Sequence, residues 1–131
     1  MYVIDTNTLI FFFKGRESVS QKLLSIPPKE IGIPSVVVYE LEVGIAKSKA
    51  SRKRLKQLEE MMSIITVLTF TVKEARSSAM IRAQLERKGR PIGPIDTLIA
   101  GTALAHQAIL VTHNIKEFTR IDKLQVEDWF V

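Results

Sequence analysis

The chain has no cysteine, which excludes a disulfide framework, a thiolate nucleophile and a cysteine-ligated metal. That absence fits a reducing, cytoplasmic setting. Histidine is nearly as scarce, at two residues. No apolar run approaches the roughly 20 residues that span a bilayer. The opening residues are apolar, but no basic segment precedes them and Asp5 and Asn7 interrupt them, so the start does not read as a secretory signal. No internal repeat, linker or low-complexity stretch breaks the chain.

What is present describes a folded protein. A length of 131 residues with 46% hydrophobic content suits one domain with a real core, spanning residues 1–131. Lys and Arg number 19 against 14 Asp and Glu, a net charge of +5. A polyanionic partner is favoured by that balance, although many proteins this basic bind nothing acidic.

Apolar patterning alternates strands with helices. Tyr2-Val-Ile4 reads as a strand covered on both faces, and it stops at Asp5. Thr6, Asn7 and Thr8 supply turn and cap chemistry before a helix from Leu9 to Phe13. Ser18 to Ser25 reads as a short helix capped by Ser18 and broken by Pro27-Pro28. Ile31 to Pro34 is a strand, after which Ser35 caps a helix over Val36 to Lys47. Ser51 to Met62 is helical, with Leu55, Leu58 and Met62 inward. Ile64 to Leu68 is a third strand. Val72 to Arg87 is a long helix whose apolar positions include Ala75, Ala79, Ile81, Ala83 and Leu85. The loop Gly89 to Pro94 leads to a helix over Ile95 to His106. Ile109 to Val111 is a fourth strand, Ile115 to Thr119 a turn of helix, and Leu124 to Glu127 an edge strand. This alternation implies a parallel sheet with right-handed crossovers.

Most acids lie in charged, amphipathic surroundings. Asp5 ends the first strand, where α/β folds place their chemistry; a plain helix cap is the competing role. Glu40 shares its helix rows with Val36, Val37, Val43 and Gly44. Asp96 opens a helix, where dipole and free N–H groups partly compensate it. Asn114 and Glu117 follow the fourth strand. A carboxylate on an apolar row is costly to bury without a partner, and several clustered carboxylates cannot all stay ionised without a cation. Oxygen donors with no cysteine and little histidine point to Mg²⁺ or Mn²⁺ rather than zinc.

The ordered set Asp5-Thr6-Asn7, Glu40-Leu41-x-x-Gly44, Asp96-Thr-Leu-Ile-Ala100 and Val111-Thr112-His-Asn114-x-x-Glu117-Phe118 resembles the PIN-domain nucleases. More closely, it is similar to the VapC-like toxins of prokaryotic toxin–antitoxin pairs, as is the closing Leu124-Gln-Val-Glu-Asp-Trp129. The resemblance implies an α/β/α sandwich with a five-stranded parallel sheet in the order 3-2-1-4-5. Asp5 and the Thr112–Asn114 turn would then flank one crevice. It also implies that Asp5, Glu40 and Asp96 bind the metal, with Asn114 standing where many relatives carry Asp and Glu117 a candidate for the missing charge. Gly44 would allow close packing one turn on from Glu40. Thr6 and Thr112 would orient a carboxylate or a water.

The activity so implied is metal-dependent hydrolysis of RNA phosphodiesters, with a homodimer and a cognate antitoxin as partners. Lys47 and Arg52, within a basic run reaching Lys56, and Arg90 could grip the RNA backbone; solvated helix faces are the plainer role for such residues. His106 and His113 receive no catalytic role. Two other readings stand beside this one. The first is a non-catalytic PIN-fold module that binds RNA or protein, kept open by Asn114. The second is a phosphotransfer or phospho-signalling α/β protein, weakened because the chain lacks the Asp-x-Asp of aspartate-nucleophile phosphatases.

Overall fold

A computed structural model describes residues 1–131. Val3 and Ile4 of β1 (Tyr2–Ile4) have no solvent exposure, and all four residues of β2 (Ile31–Pro34) are buried. Consecutive strand residues face opposite sides, so an unbroken buried run means that both faces of the sheet are covered. Helices α1 (Thr6–Phe13), α2 (Glu17–Leu24), α3 (Ser35–Ala46), α4 (Ser51–Met62), α5 (Val72–Arg87), α6 (Pro94–Ala105) and α7 (Ile115–Phe118) supply the cover, alongside β3 (Thr66–Leu68), β4 (Ile109–Val111) and β5 (Gln125–Glu127).

The strands run in the order β3-β2-β1-β4-β5, each pair parallel, as expected. The chain builds outward from β1 to β2 and β3, then returns through α5 and α6 to β4 on the other side of β1. That reversal opens a crevice at the carboxyl ends of β1 and β4. The register sets Ile4 beside Val111, and the next residue, Asp5, donates its N–H to the Val111 carbonyl at 3.1 Å. Each fully buried aliphatic of this centre, such as Ile4, Leu9 or Leu110, contributes about 1.5–3 kcal/mol. The crevice therefore rests on the buried core.

Several helix boundaries depart from the expected ones. Helix α1 starts at Thr6 rather than Leu9, because the Thr8 N–H donates to Asp5 Oδ1 at 2.9 Å and makes Asp5 the cap. Ser18 and Ser35 are not caps; Arg16 and Pro34 hold those positions with no side-chain hydrogen bond. The Ser18 hydroxyl instead donates to the Phe130 carbonyl at 2.7 Å. A 3-10 turn at Pro28–Glu30 precedes β2.

The inward face of α5 also differs. Its buried residues are Glu74, Ser78, Ile81 and Leu85, whereas Ala75, Ala79 and Ala83 are exposed. The cause is close helix packing. A Cβ on Gly101 of α6 would lie 2.7 Å from the Ser78 Cα, so only glycine fits, and the Ser78 hydroxyl is satisfied by the Glu74 carbonyl at 2.8 Å. On α4, Met61 is buried and Met62 is half-buried, a shift of one position.

Candidate active site

Asp5 projects from the end of β1 with 6% of its surface exposed. It is the cap of α1, the plainer of the two roles foreseen for it, and it stands at the crevice. Burial pushes its carboxyl above the ordinary 3.8; hydrogen bonds from Thr112 and Thr8 pull it partly back, and the Glu40 charge raises it again. Thr112 is fully buried beside it, and its Oγ1 also accepts the Asn114 N–H at 3.0 Å. That threonine thus ties the turn after β4 to the acid at the end of β1.

Glu40 comes from the middle of α3 and is half-buried. The Thr6 hydroxyl donates to its Oε1 at 2.5 Å, so the residue after Asp5 orients the second acid. Asp96 sits in the first turn of α6, after Pro94. Its carboxyl is pushed up to about 6, first by burial and then by the charges of Asp5, Glu117 and Glu40. Glu117 lies in the first turn of α7. The structure thus brings Asp5, Glu40 and Glu117 within electrostatic reach of Asp96, from residues far apart in the chain.

None of these four acids pairs with a lysine, arginine or histidine: the protein's ion pairs are Arg82–Glu86, Lys88–Asp122, His106–Glu74 and His113–Asp128. Burial first, and then like charges gathered without a counter-charge, raise the pKa of Asp96. The donors are hard oxygens, suited to Mg²⁺ or Mn²⁺. As they stand, no three acidic or histidine side chains are close enough to enclose one ion.

Asn114 is the N-terminal cap residue of α7, and its side chain makes no capping hydrogen bond. Lys47, Arg52 and Arg90 are exposed and unpaired. One expectation fails: Gly44 permits no close packing, because a Cβ there would meet nothing within 4 Å.

The sequence reading missed the C-terminal strap behind the site. His113 Nδ1 lies 2.9 Å from Asp128 Oδ2, and its ring stacks on Phe130 with centroids 4.1 Å apart. Phe130 also meets Phe11, at 4.6 Å, and the Arg16 guanidinium, at 4.0 Å. Aromatic pairs of this kind contribute about 0.5–1.5 kcal/mol each, enough to fix the Thr112–Asn114 turn against α1. The signal was available in Asp128-Trp-Phe130 but read only as an ending.

Fold and site together define a class: an α/β protein with carboxylates gathered at the switch point of a parallel sheet. The chain belongs to the PIN domain family, which matches residues 2–124. It is 36% identical over 128 residues to a tRNA(fMet)-specific endonuclease VapC of Salmonella typhimurium, covering 98% of this chain and 97% of that one. To a ribonuclease VapC2 of Rickettsia felis it is 36% identical over 131 residues, covering 98% of each. Among solved structures it resembles VapBC2 from Rickettsia felis bound to a DNA fragment from its promoter, with a TM-score of 0.91, 36% identity and 98% of each chain covered.

Proposed function

We propose that this chain is a divalent-metal-dependent endoribonuclease, the toxin of a toxin–antitoxin pair, working in the cytoplasm as a single PIN domain over residues 1–131. The observation that carries the reading is the convergence of Asp5, Glu40, Asp96 and Glu117 with no cationic partner. Names of the relatives, a tRNA(fMet)-specific endonuclease and a ribonuclease, support RNA as substrate. The VapBC2 structure supports a cognate antitoxin, and the family resemblance a homodimer.

In this reading Asp5, Glu40 and Asp96 hold Mg²⁺ or Mn²⁺, with Asn114 and Glu117 completing the rim. The chemistry supplied by such an ion is activation of water and neutralisation of phosphodiester charge. Thr6 holds the Glu40 carboxylate in place, and Thr8 and Thr112 hold that of Asp5. The acidic rim alone would repel RNA, so the exposed cations Lys47, Arg52 and Arg90 draw the backbone in through salt-dependent contacts.

Cleavage of RNA, beginning with tRNA(fMet), is to be measured with and without EDTA for the wild type, Asp5→Asn and Asp96→Asn. Loss of cleavage in EDTA and in both variants is expected; cleavage persisting in both variants overturns the assignment of this site. The open spacing of the acids favours one second reading, a non-catalytic PIN-fold module that binds RNA or protein. RNA binding unaffected by EDTA, with no cleavage in Mg²⁺ or Mn²⁺, would identify it.

A further inference from the structure

A cleft of about 210 Å³ opens beside the site; four apolar side chains, Phe13 and Leu41 among them, form its wall, and Glu40, Lys14, Gly44, Ser48 and Arg54 line the rest. It joins three elements: Lys14 caps the end of α1, Glu40 and Gly44 lie one turn apart on α3, and Arg54 sits in the first turns of α4. Neither Lys14 nor Arg54 forms an ion pair. Arg54 is half-buried and lines the cleft. Two free cations thus stand beside a carboxylate that neither neutralises.

Gly44 is the second clue. Glycine weakens a helix interior relative to alanine, and packing does not require it here, since an added Cβ would touch nothing within 4 Å. What it does is leave the backbone of α3 bare along the floor of the cleft. The cleft is also smaller than the roughly 300–1,000 Å³ of a small-molecule pocket. Its size suits one unit of a longer chain lying across it.

We infer that this cleft seats the RNA phosphate and ribose next to the bond cut at the carboxylates, with Lys14 and Arg54 holding the phosphate and bare Gly44 letting the strand lie against α3. The inference rests on the nuclease reading above and assigns that site a neighbouring backbone subsite. It gives the single strand a direction of approach, along α3 from Ser48 towards Glu40.

The test is KM and kcat on a single-stranded RNA across a salt series, with melting temperature recorded for each protein. The variants are Lys14→Met, Arg54→Met and Gly44→Leu, with Lys29→Met as charge control, because Lys29 lies at the opposite rim, just before β2 begins. Lys14→Met and Arg54→Met are each expected to raise KM, and combined to lower the slope of log KM against log salt by about 0.7, the value for one phosphate contact on a single strand. Gly44→Leu should raise KM while melting no lower than wild type, which separates a blocked cleft from a damaged fold. Lys29→Met should match wild type in KM. A wild type that cleaves, with cleft variants unchanged in KM and salt slope, overturns the subsite and leaves the nuclease reading standing. A wild type that cleaves no RNA in Mg²⁺ or Mn²⁺ overturns both.

Discussion

Helices α5 and α6 lie antiparallel, with an acid near each end of the pair, and the two acids live in opposite circumstances. Glu74 at the start of α5 is 3% exposed yet fully provided for: the Thr71 hydroxyl and N–H both donate to it, and His106 Nε2 lies 3.0 Å from its other oxygen. Those Thr71 bonds, first, and the nearby histidine lower its pKa to about 2. Asp96 at the start of α6 has no cation, three acidic neighbours and a pKa of about 6. Both are buried or half-buried carboxylates on helix first turns, so burial and dipole do not separate them. What separates them is whether the chain completes the charge itself or leaves that to a ligand.

The largest expected effect is on the unprovided acid. Asp96→Asn should reduce RNA cleavage about a hundredfold or more, the scale on which charge-stabilising groups act at transition states. It should also raise the melting temperature of the metal-free protein, because it removes a repelled charge. Lower activity with lower stability would mean that Asp96 is structural.

Glu74→Ala should do the reverse. Losing the cap and its two Thr71 bonds should cost about 1 kcal/mol or somewhat more, read as a lower melting temperature, with cleavage rate per folded molecule unchanged. Acid titration sharpens the contrast. The folded Asp96 keeps its proton at pH values where an unfolded aspartate, at 3.8, has lost it, so metal-free stability should fall as pH rises from 3.8 to about 6. Glu74 releases its proton earlier in the folded state, so its contribution is present above 4.5 and is lost as pH falls towards 2. Thermal melts of wild type and Asp96→Asn across this range separate the two, since the decline above 3.8 should be smaller in the variant, which keeps only the part due to Asp5.

The smallest effect concerns the strap. His113→Ala breaks a half-exposed contact with Asp128 and the stacking on Phe130, so a loss of about 0.5–1.5 kcal/mol is expected. Cleavage should weaken less than in Asp96→Asn. An unchanged melting temperature would show that the C-terminal segment does not brace the turn after β4.

The same contrast explains what could be read from residues alone. Asp5, Glu40, Asp96 and Glu117 were legible because each sits at a strand end, at a helix start or on an apolar row, places where an acid without a function is expensive. Strand order was legible because the family resemblance carried it, and the observed order β3-β2-β1-β4-β5 bears it out. Glu74 was not legible: Thr71-x-x-Glu74 is a capping signature that says nothing of burial, which depends on Gly101 letting α6 close against Ser78. The three alanines of α5 misled for a related reason, since alanine costs little on either face. Gly44 looked like a packing glycine because sequence shows the missing side chain but not the empty space beside it.

The most direct measurement is the melting temperature of wild type and Asp96→Asn titrated with Mn²⁺ at neutral pH. A metal-dependent rise in wild type that is largely lost in the variant is expected, since an ion that binds only the folded state stabilises it by mass action. Equal rises in both proteins, or none in wild type, would contradict the view that these carboxylates are gathered around a divalent ion.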